Sequence, residues 1–338
     1  MNALPGLLLA ALVAAAALYG SPRAGLPDVV LAIALGAVLG NLLPARVRKR
    51  LQPGLQVFTK KILKLAIVLA GLKLTADLAA KLGSHVFAII ASCLCLAMVL
   101  GAVLGRAFGV SRRVALLLGC GTAICGATAV VTIAPIADAD DDEVAFSIAT
   151  IFLFNVVALF VFPVIGHHGG LTDLQFGTWA GTSVNDTSAV IATGKAYSPA
   201  AETFATTIKL IRTLALVPMA LGVAAFTARA REGGGKKVSV SAVFPWFVVG
   251  FAVLAAATNY GLPPALTRPL VSAGGRAWSV KDLCLLLSGW GIVGVLAAVG
   301  LNLDAKKIFG SGARSLALGF TLAAIMAVAS FSLVHALL

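Results

Sequence analysis

The sequence predicts an all-α membrane protein with about 11 transmembrane helices. Hydrophobic residues make up 60% of its 338 residues and charged residues only 12%, and the mean hydropathy is +1.01. Apolar runs of about 20 residues, the length of a membrane-spanning helix, recur along the whole chain. We expect one polytopic domain over residues 1–338, with a peripheral first helix at 1–25 and two repeats at 26–165 and 172–338.

The apolar runs define the predicted spans in chain order. The first run has no basic segment before it and leads directly into a second run, which favours a retained helix over a cleaved signal peptide. The predicted spans are residues 4–20, 26–43, 58–79, 85–107, 114–136, 144–165, 173–194, 200–228, 242–260, 282–303 and 314–337.

Basic residues between the spans predict the orientation of the chain. They cluster in the connections that follow even-numbered spans, and connections rich in Lys and Arg are cytoplasmic. We therefore expect a cytoplasmic N-terminus, an external C-terminus and an external acidic run at 138–143. The basic residues concerned are Arg46, Arg48, Lys49, Arg50, Lys60, Lys61, Arg106, Arg112, Arg113, Arg229, Arg231, Lys236, Lys237, Lys306, Lys307 and Arg314.

Composition and spacing argue against several other classes of protein. The formal net charge of +13 does not indicate nucleic-acid binding, because the basic residues are spread between apolar runs. The five cysteines lie within apolar segments, so neither a disulfide framework nor a metal-ligand spacing is indicated. No nucleophile with a base and no HExxH pair is evident. We expect no enzymatic activity and no cofactor.

Two segments rich in Gly, Thr and Ser interrupt the apolar runs, GTAICGATAVV at 121–131 and GTSVNDTSAVI at 181–191. Irregular backbone at membrane depth is tolerated only where it lines a cavity or is covered by protein. Such segments are typical of discontinuous helices, whose free N–H groups suit an anion and whose free carbonyls suit a cation. The alternative is that the small residues only allow helices to pack closely.

Internal similarity indicates inverted repeats. GLKLTADL at 71–78 resembles GLNLDAKK at 300–307, and the two copies run in opposite senses in the predicted topology. The segments at 121–131 and 181–191 are also similar, but they run in the same sense. Either one of them is re-entrant, or their similarity reflects a shared need for small residues.

A polar stripe in the eighth predicted span faces something other than lipid. Lys209 lies roughly 15 Å into this span, where a charge needs a partner, and Asp186 is the nearest acid in the preceding span. We therefore expect Lys209 to pair with Asp186, with Arg212 beside the stripe. The alternative is that Lys209 and Arg212 extend to the membrane interface. The stripe consists of Glu202, Thr206, Lys209 and Thr213.

These segments resemble the YeiH-like sulfate exporter family of bacterial membrane proteins. The resemblance covers most of the chain from about residue 30 and is carried by GLKLTADL, LLLGCGTAICGATAVVTIAPIADADDDEVAFSIATI, FGTWAGTSVNDTSAVIATGKAYSPAAETFATTIKLIRTLALVPM and GLNLDAKK. It implies a secondary transporter for sulfate or a related sulfur oxyanion, with a fold similar in style to sodium/proton antiporters and bile-acid symporters. Many members carry His-Glu in place of Asn185-Asp186, and Gln in place of Ala189.

The resemblance and the polar segments together predict a site near the middle of the membrane, between residues 119–135 and 181–194. The expected partners are the lipid bilayer of the cell inner membrane, a small anion, and H⁺ or Na⁺ as the coupling ion; a homodimer is compatible with the sequence. The alternative is a cation/proton antiporter in which Asn185 and Asp186 bind the ion. The predicted substrate-binding residues are Gly121, Thr122, Cys125, Gly126, Thr128, Gly181, Thr182, Ser183, Thr187, Ser188, Lys209 and Arg212, and the predicted ion-coupling residues are Asn185 and Asp186.

Overall fold

The computed structural model describes residues 3–229, 244–261, 264–273, 276–303 and 313–338. The described chain is mainly helical and divides into two compact units. Unit 1 comprises Met1–Lys81 and Trp246–Asp304, and unit 2 comprises Leu82–Pro245 and Ala305–Leu338. The predicted repeats, 26–165 and 172–338, have other bounds than these two units. The units do not test the repeats, which stay a prediction. Predicted features at residues 231–237 and 304–307 lie outside the described residues.

The first half of the chain contributes helices to both units. These helices are interrupted by a π-helical turn, Phe58–Ile62, and a 3₁₀ turn, Gly71–Lys73. Unit 1 begins with α1 (Leu4–Ala24), α2 (Asp28–Leu42), α3 (Ala45–Val57), α4 (Leu63–Ala70) and α5 (Ala76–Ala80). Unit 2 begins with α6 (Ser84–Ala107), α7 (Arg112–Ala123), α8 (Ala127–Ala137) and α9 (Asp141–His168).

The second half adds a small antiparallel sheet to the helices. Unit 2 continues with α10 (Asp173–Ser183), α11 (Thr187–Tyr197), α12 (Pro199–Leu214), α13 (Leu216–Arg229) and, after an excursion into unit 1, α17 (Ala313–Leu337). That excursion contains α14 (Trp246–Tyr260), α15 (Pro264–Thr267), β1 (Pro269–Ala273), β2 (Arg276–Ser279) and α16 (Val280–Asn302). The strands pair with each other and are an exception to the predicted all-α fold.

Six helical stretches in the described residues are long and apolar enough to cross a membrane. They support a helical membrane protein, whereas the predicted number of eleven crossings is not confirmed. These stretches are Leu4–Ala24, Ser84–Ala107, Asp142–His168, Pro199–Phe226, Val280–Asn302 and Ala313–Leu337.

The basic connection after the second predicted span is a helix, α3, and not a loop. Its apolar residues Leu51 and Leu55 are buried while its Arg and Lys side chains stay largely exposed, which is the pattern of an amphipathic helix. Gly6 of α1 and Gly54 of α3 face each other so closely that a Cβ at either would overlap the other helix. This helix is not predicted from the sequence, because its charge suggests a solvated connection.

The second polar segment forms a re-entrant hairpin, named hairpin 2, which consists of α10, the link 184–186 and α11. The rings of Phe176, in the first half of α10, and Tyr197, the last residue of α11, stack with their centroids 3.9 Å apart. Ser198 Oγ also donates to Asp173 Oδ1 at 2.5 Å. The end of α11 therefore lies beside the start of α10, and the chain leaves where it entered.

The first polar segment forms a matching hairpin, named hairpin 1, from α7, the link 124–126 and α8. Ser111, which caps α7, donates to Glu143 Oε1 at 2.6 Å, and Arg113 lies 3.8 Å from Glu143 Oε2. Glu143 belongs to the first turn of α9, which starts four residues after α8 ends. The two ends of hairpin 1 therefore also lie together.

The hairpins correct two predicted spans, 114–136 and 173–194. Each arm has 11 or 12 residues, which at helical rise is roughly 16–18 Å and too short to cross a hydrocarbon core of about 30 Å. The prediction of an external acidic run at 138–143 together with a cytoplasmic Arg113 is wrong as well. Arg113 and Glu143 are within contact distance, so both lie at the same end of unit 2.

Candidate functional site

The tips of the two hairpins meet at the middle of α9. Gly126, in the link of hairpin 1, has a φ of 62° and a ψ of −125°, a conformation that favours glycine. A Cβ at Gly126 would lie 3.2 Å from Ile151 Cγ2 of α9 and 3.4 Å from the carbonyl carbon of Asn185. The absence of a side chain thus allows the backbones of the two links to approach closely.

Asn155, near the midpoint of the 28-residue helix α9, holds the tip of hairpin 2. Its Oδ1 accepts the backbone N–H of Asn185 at 3.0 Å and that of Asp186 at 3.3 Å. Asn155 is not among the predicted site residues, because a single amide in a long apolar run is more often a packing residue than a ligand. Its signal was the presence of a polar amide at the centre of a span.

Arg212 of α12 is fully buried and binds both hairpins. It donates from Nε to the carbonyl of Ala123 at 2.5 Å and from Nη1 to the carbonyl of Thr182 at 2.6 Å. It also donates to the carbonyls of Thr122 and Gly181. These carbonyls lie in the last turns of α7 and α10, so they accept no hydrogen bond from within their own helix. The guanidinium, with its fork of donors, therefore caps two helix C-termini at once.

Lys209, one turn before Arg212 and also fully buried, binds the links in the same way. Its Nζ donates to the carbonyl of Ile124 at 2.5 Å and to that of Val184 at 3.0 Å. The predicted pairing with Asp186 is wrong, because among the described residues Lys209 makes no contact-distance ion pair with that carboxylate. Buried carbonyls at two helix ends satisfy the ammonium instead. Both basic side chains point inward, so they do not extend to the interface.

Asp186 caps the return helix of hairpin 2. Its Oδ2 accepts the backbone N–H of Ser188 at 2.9 Å and, more weakly, that of Ala189 at 3.4 Å, and it also accepts the hydroxyl of Ser188. A carboxylate at the start of a helix is favoured by both hydrogen bonding and the helix dipole. The first turn of α8 in hairpin 1 has no such side-chain cap. The two hairpins are therefore similar in backbone and different in charge.

A partly open pocket with a volume of about 180 Å³ adjoins the tip of hairpin 2. Its polar side is formed by Asn155, Ser183 and Asn185. Within the described part of the chain, Asn155 Nδ2, Ser183 Oγ and Asn185 Oδ1 are buried without a hydrogen-bond partner. Unpaired buried polar groups are costly and rare in proteins, so this cluster is the strongest candidate for ligand contact.

The other predicted site residues fall into four groups. Thr128 is exposed, so it does not join the buried cluster. Thr182 is buried but its hydroxyl is used in contacts with its own helix and, at 2.5 Å, with Ser330 of α17. Gly181 lets α10 pack against Ile208 of α12. The remaining residues are buried in or next to the two tips: Gly121, Thr122, Cys125, Gly126, Thr187 and Ser188.

Metal ligation by acidic, His or Cys side chains finds no support in the residues that the structure covers. Across those ranges, no group of three or more such side chains is placed to hold a metal ion. Oxygen atoms of Asn185 and Asp186 remain the predicted place for Na⁺.

These observations define a polytopic helical membrane protein with two hairpins whose tips meet at a buried polar centre. The chain belongs to the family described as conserved hypothetical protein 698, whose sequence profile matches residues 5–319. A UPF0324 membrane protein of Streptococcus agalactiae is 33% identical over 323 residues, covering 94% of this chain and 92% of its own. One of Clostridium tetani is 31% identical, covering 83% and 81%. The predicted resemblance to the YeiH-like family is confirmed.

Proposed function

We propose that the protein is a secondary active transporter that moves a small anion, sulfate or a related sulfur oxyanion, across the bacterial inner membrane. The coupling ion is H⁺ or Na⁺, and the anion is carried without chemical conversion. The observation that carries this proposal is the pair of buried cations, Lys209 and Arg212, bound to the C-terminal ends of α7 and α10.

The charge balance at the tips favours an anion. With Lys209 and Arg212 both counted as protonated, two positive charges meet two helix C-termini of about half a negative charge each, and the N-termini of α8 and α11 add about half a positive charge each. Asp186 removes one charge, so about one positive charge remains. Glu202 lies two turns before Lys209 on α12, beside Gly194 at the far end of hairpin 2. It is roughly 10 Å from Lys209 along the helix, so its charge is not counted at the tips.

The placement of the hairpins supports alternating access through inverted repeats. The ends of hairpin 1 lie at the start of α9, next to Glu143. The ends of hairpin 2 lie at the other end of α9, where the ring of His167 stacks on Tyr197 at 4.3 Å. Two similar segments that enter from opposite ends of a spanning helix run in opposite senses, as inverted repeats require. This arrangement supports the proposed inverted repeat.

Asp186 is the proposed coupling carboxylate. It is only half-buried, and its negative charge occupies the N-terminus of α11. Binding H⁺ or Na⁺ at this carboxylate would weaken its hold on the helix end and leave more positive potential for the anion. The cation at Asp186 and the transported anion are then coupled, because each changes the electrostatic potential at the site of the other.

A cation/proton antiporter is the second candidate. It is favoured by the free acceptor oxygen of Asn185 beside the Asp186 carboxylate, because a carboxylate and an amide oxygen suit an alkali cation. In that case no anion enters the site.

Transport by the full-length protein in liposomes that contain a pH-sensitive dye tests the two candidates. Sulfate, sulfite, sulfonates, Na⁺ and Li⁺ are added in turn to the same vesicles. Proton flux that depends on an added anion supports the anion transporter. Proton flux that depends on Na⁺ or Li⁺ without any transported anion would overturn it and support the antiporter. Protein-free liposomes are the control.

A further inference from the structure

The pocket beside hairpin 2 offers an oriented hydrogen-bond donor. Because Oδ1 of Asn155 accepts two backbone N–H groups of the link, the amide cannot be turned over without losing both bonds. The group left without a partner is therefore its NH₂, which is a donor. Ser183 Oγ can also donate. The group that Asn185 leaves without a partner is its acceptor Oδ1, and turning this amide over would present its NH₂ instead. This polar end of the pocket suits a ligand that carries several acceptor oxygens.

Positive charge lies directly behind this polar end. Val184, which lines the pocket, accepts a hydrogen bond from Lys209, and Thr182, two residues earlier, accepts one from Arg212. Electrostatic interactions are strong in such a water-poor environment. The remaining charge of about +1 at the tips matches a monoanion better than a dianion.

The rest of the pocket is apolar. Aromatic rings from α9 and α17 form its walls. Three alanines on one side of α17 also line it, and their small side chains leave the pocket open there. A fully hydrated inorganic ion gains nothing from such walls, whereas an aliphatic tail does. The wall residues are Phe154, Phe162, Phe320, Ala323, Ala324 and Ala327.

We propose that this pocket binds a short organic monoanion of the alkanesulfonate type. The sulfonate oxygens accept hydrogen bonds from Asn155 Nδ2 and Ser183 Oγ, and the aliphatic tail lies against the alanines of α17. The inference rests on the proposed anion transport and narrows its substrate class, so that organic sulfonates are preferred to inorganic sulfate.

Direct binding to the full-length protein in lipid nanodiscs tests the inference by titration calorimetry. The probes are sodium sulfate, ethanesulfonate, butanesulfonate and the neutral diethyl sulfone. Each methylene that leaves water should lower Kd about fourfold, so butanesulfonate should bind about 15-fold more tightly than ethanesulfonate. Sulfate should bind more weakly than both. Sulfate binding as tight as butanesulfonate, or equal binding of the neutral sulfone, overturns the inference.

Two substitutions separate the head from the tail of the ligand. Asn155→Asp keeps the oxygen that holds the link but replaces the donor by a negative oxygen, so sulfonate binding should be lost. Ala323→Leu fills the apolar space, so the difference between ethanesulfonate and butanesulfonate should disappear. Ala336→Leu, at an exposed position of the same helix, is the matched control and should bind like the unmodified protein.

The outcomes distinguish this inference from the proposed function. If Asn155→Asp does not fold, the chain-length test with Ala323→Leu still decides. Sulfate transport that Ala323→Leu leaves unchanged, together with unchanged chain-length dependence, overturns the sulfonate pocket and keeps the anion transporter. Proton flux driven by Na⁺ with no transport of any anion overturns the proposed function itself.

Discussion

At the scale of single residues, the least expected finding is the role of Lys209 and Arg212. Their spacing on a helix predicted a buried polar face, and both are fully buried. Their partners could not be predicted, because every residue has the same backbone carbonyl and the sequence does not show which carbonyls lie at a helix end beside these side chains. A nearby acid in the sequence is a natural but incorrect guess when backbone groups can satisfy the charge.

Replacing Arg212 by Lys should destabilise the protein although the charge is kept. A lysine ammonium has three N–H donors and cannot serve all four carbonyls that Arg212 binds, so one or two buried carbonyls lose their donor. At about 1–3 kcal/mol for each unsatisfied group, we expect a loss of about 2–4 kcal/mol. Unfolding in mild detergent measures it. Arg113→Lys, at a half-exposed position, is the control and should change stability by less than about 0.5 kcal/mol.

Asp186→Asn should abolish coupled transport and leave the fold intact. Asparagine caps helix N-termini about as well as aspartate, so the bonds to Ser188 and Ala189 can be kept. A neutral amide cannot exchange a proton or balance the charge of a cation. The liposome assay measures flux, and thermal unfolding checks the fold. Near-normal pH-dependent transport by this variant would remove Asp186 from the proposed mechanism.

At the scale of elements, the hairpins are only partly predictable from the sequence. The two polar segments and their similarity were visible in the sequence, and the positions of the links follow from them. A polar interruption within an apolar run of about 25 residues is equally compatible with a broken span and with a re-entrant hairpin. Contacts between distant residues decide, such as Phe176 with Tyr197 and Ser111 with Glu143.

Gly126→Ala should disturb the junction of the hairpins. The new Cβ would force a backbone conformation that costs about 1–3 kcal/mol for other residues, and it would press against Ile151 and Asn185. We expect lower thermal stability and a strong loss of transport. Gly222→Ala in α13, where nothing lies within 4 Å of the added Cβ, is the control and should leave transport unchanged and stability equal or slightly higher. Equal effects of both substitutions would contradict the close approach of the links.

At the scale of the whole molecule, composition alone predicted the helical membrane protein, and the segments that carry the resemblance predicted its family. The number and sides of the connections depend on whether each polar segment crosses the membrane. Each hairpin returns to the side from which it entered, so two predicted crossings are removed. The basic connections lie before the first hairpin or after the second, and they keep their predicted sides. Only the connections around residues 138–143 and 166–172 change sides.

Cysteine labelling can test this revised topology. In a background without the five native cysteines, a membrane-impermeant maleimide should label Arg48→Cys and Asp142→Cys from the cytoplasm only. His168→Cys and Ala273→Cys should be labelled from outside only. Labelling of Asp142→Cys and Arg48→Cys from opposite sides would mean that hairpin 1 crosses the membrane. Labelling of all four from the reversed sides would invert the orientation.

The meeting of the tips near the midpoint of α9 also has an electrical consequence. Asn155 lies roughly 21 Å from either end of that helix, so a charge bound at the tips has crossed about half of the membrane voltage. Half of that voltage is worth about 1.2 kcal/mol per charge at 100 mV. A negative cell interior should therefore weaken binding of a monoanion from outside about sevenfold per 100 mV and ease its release to the outside. The same voltage should strengthen the binding of a proton at Asp186 from outside.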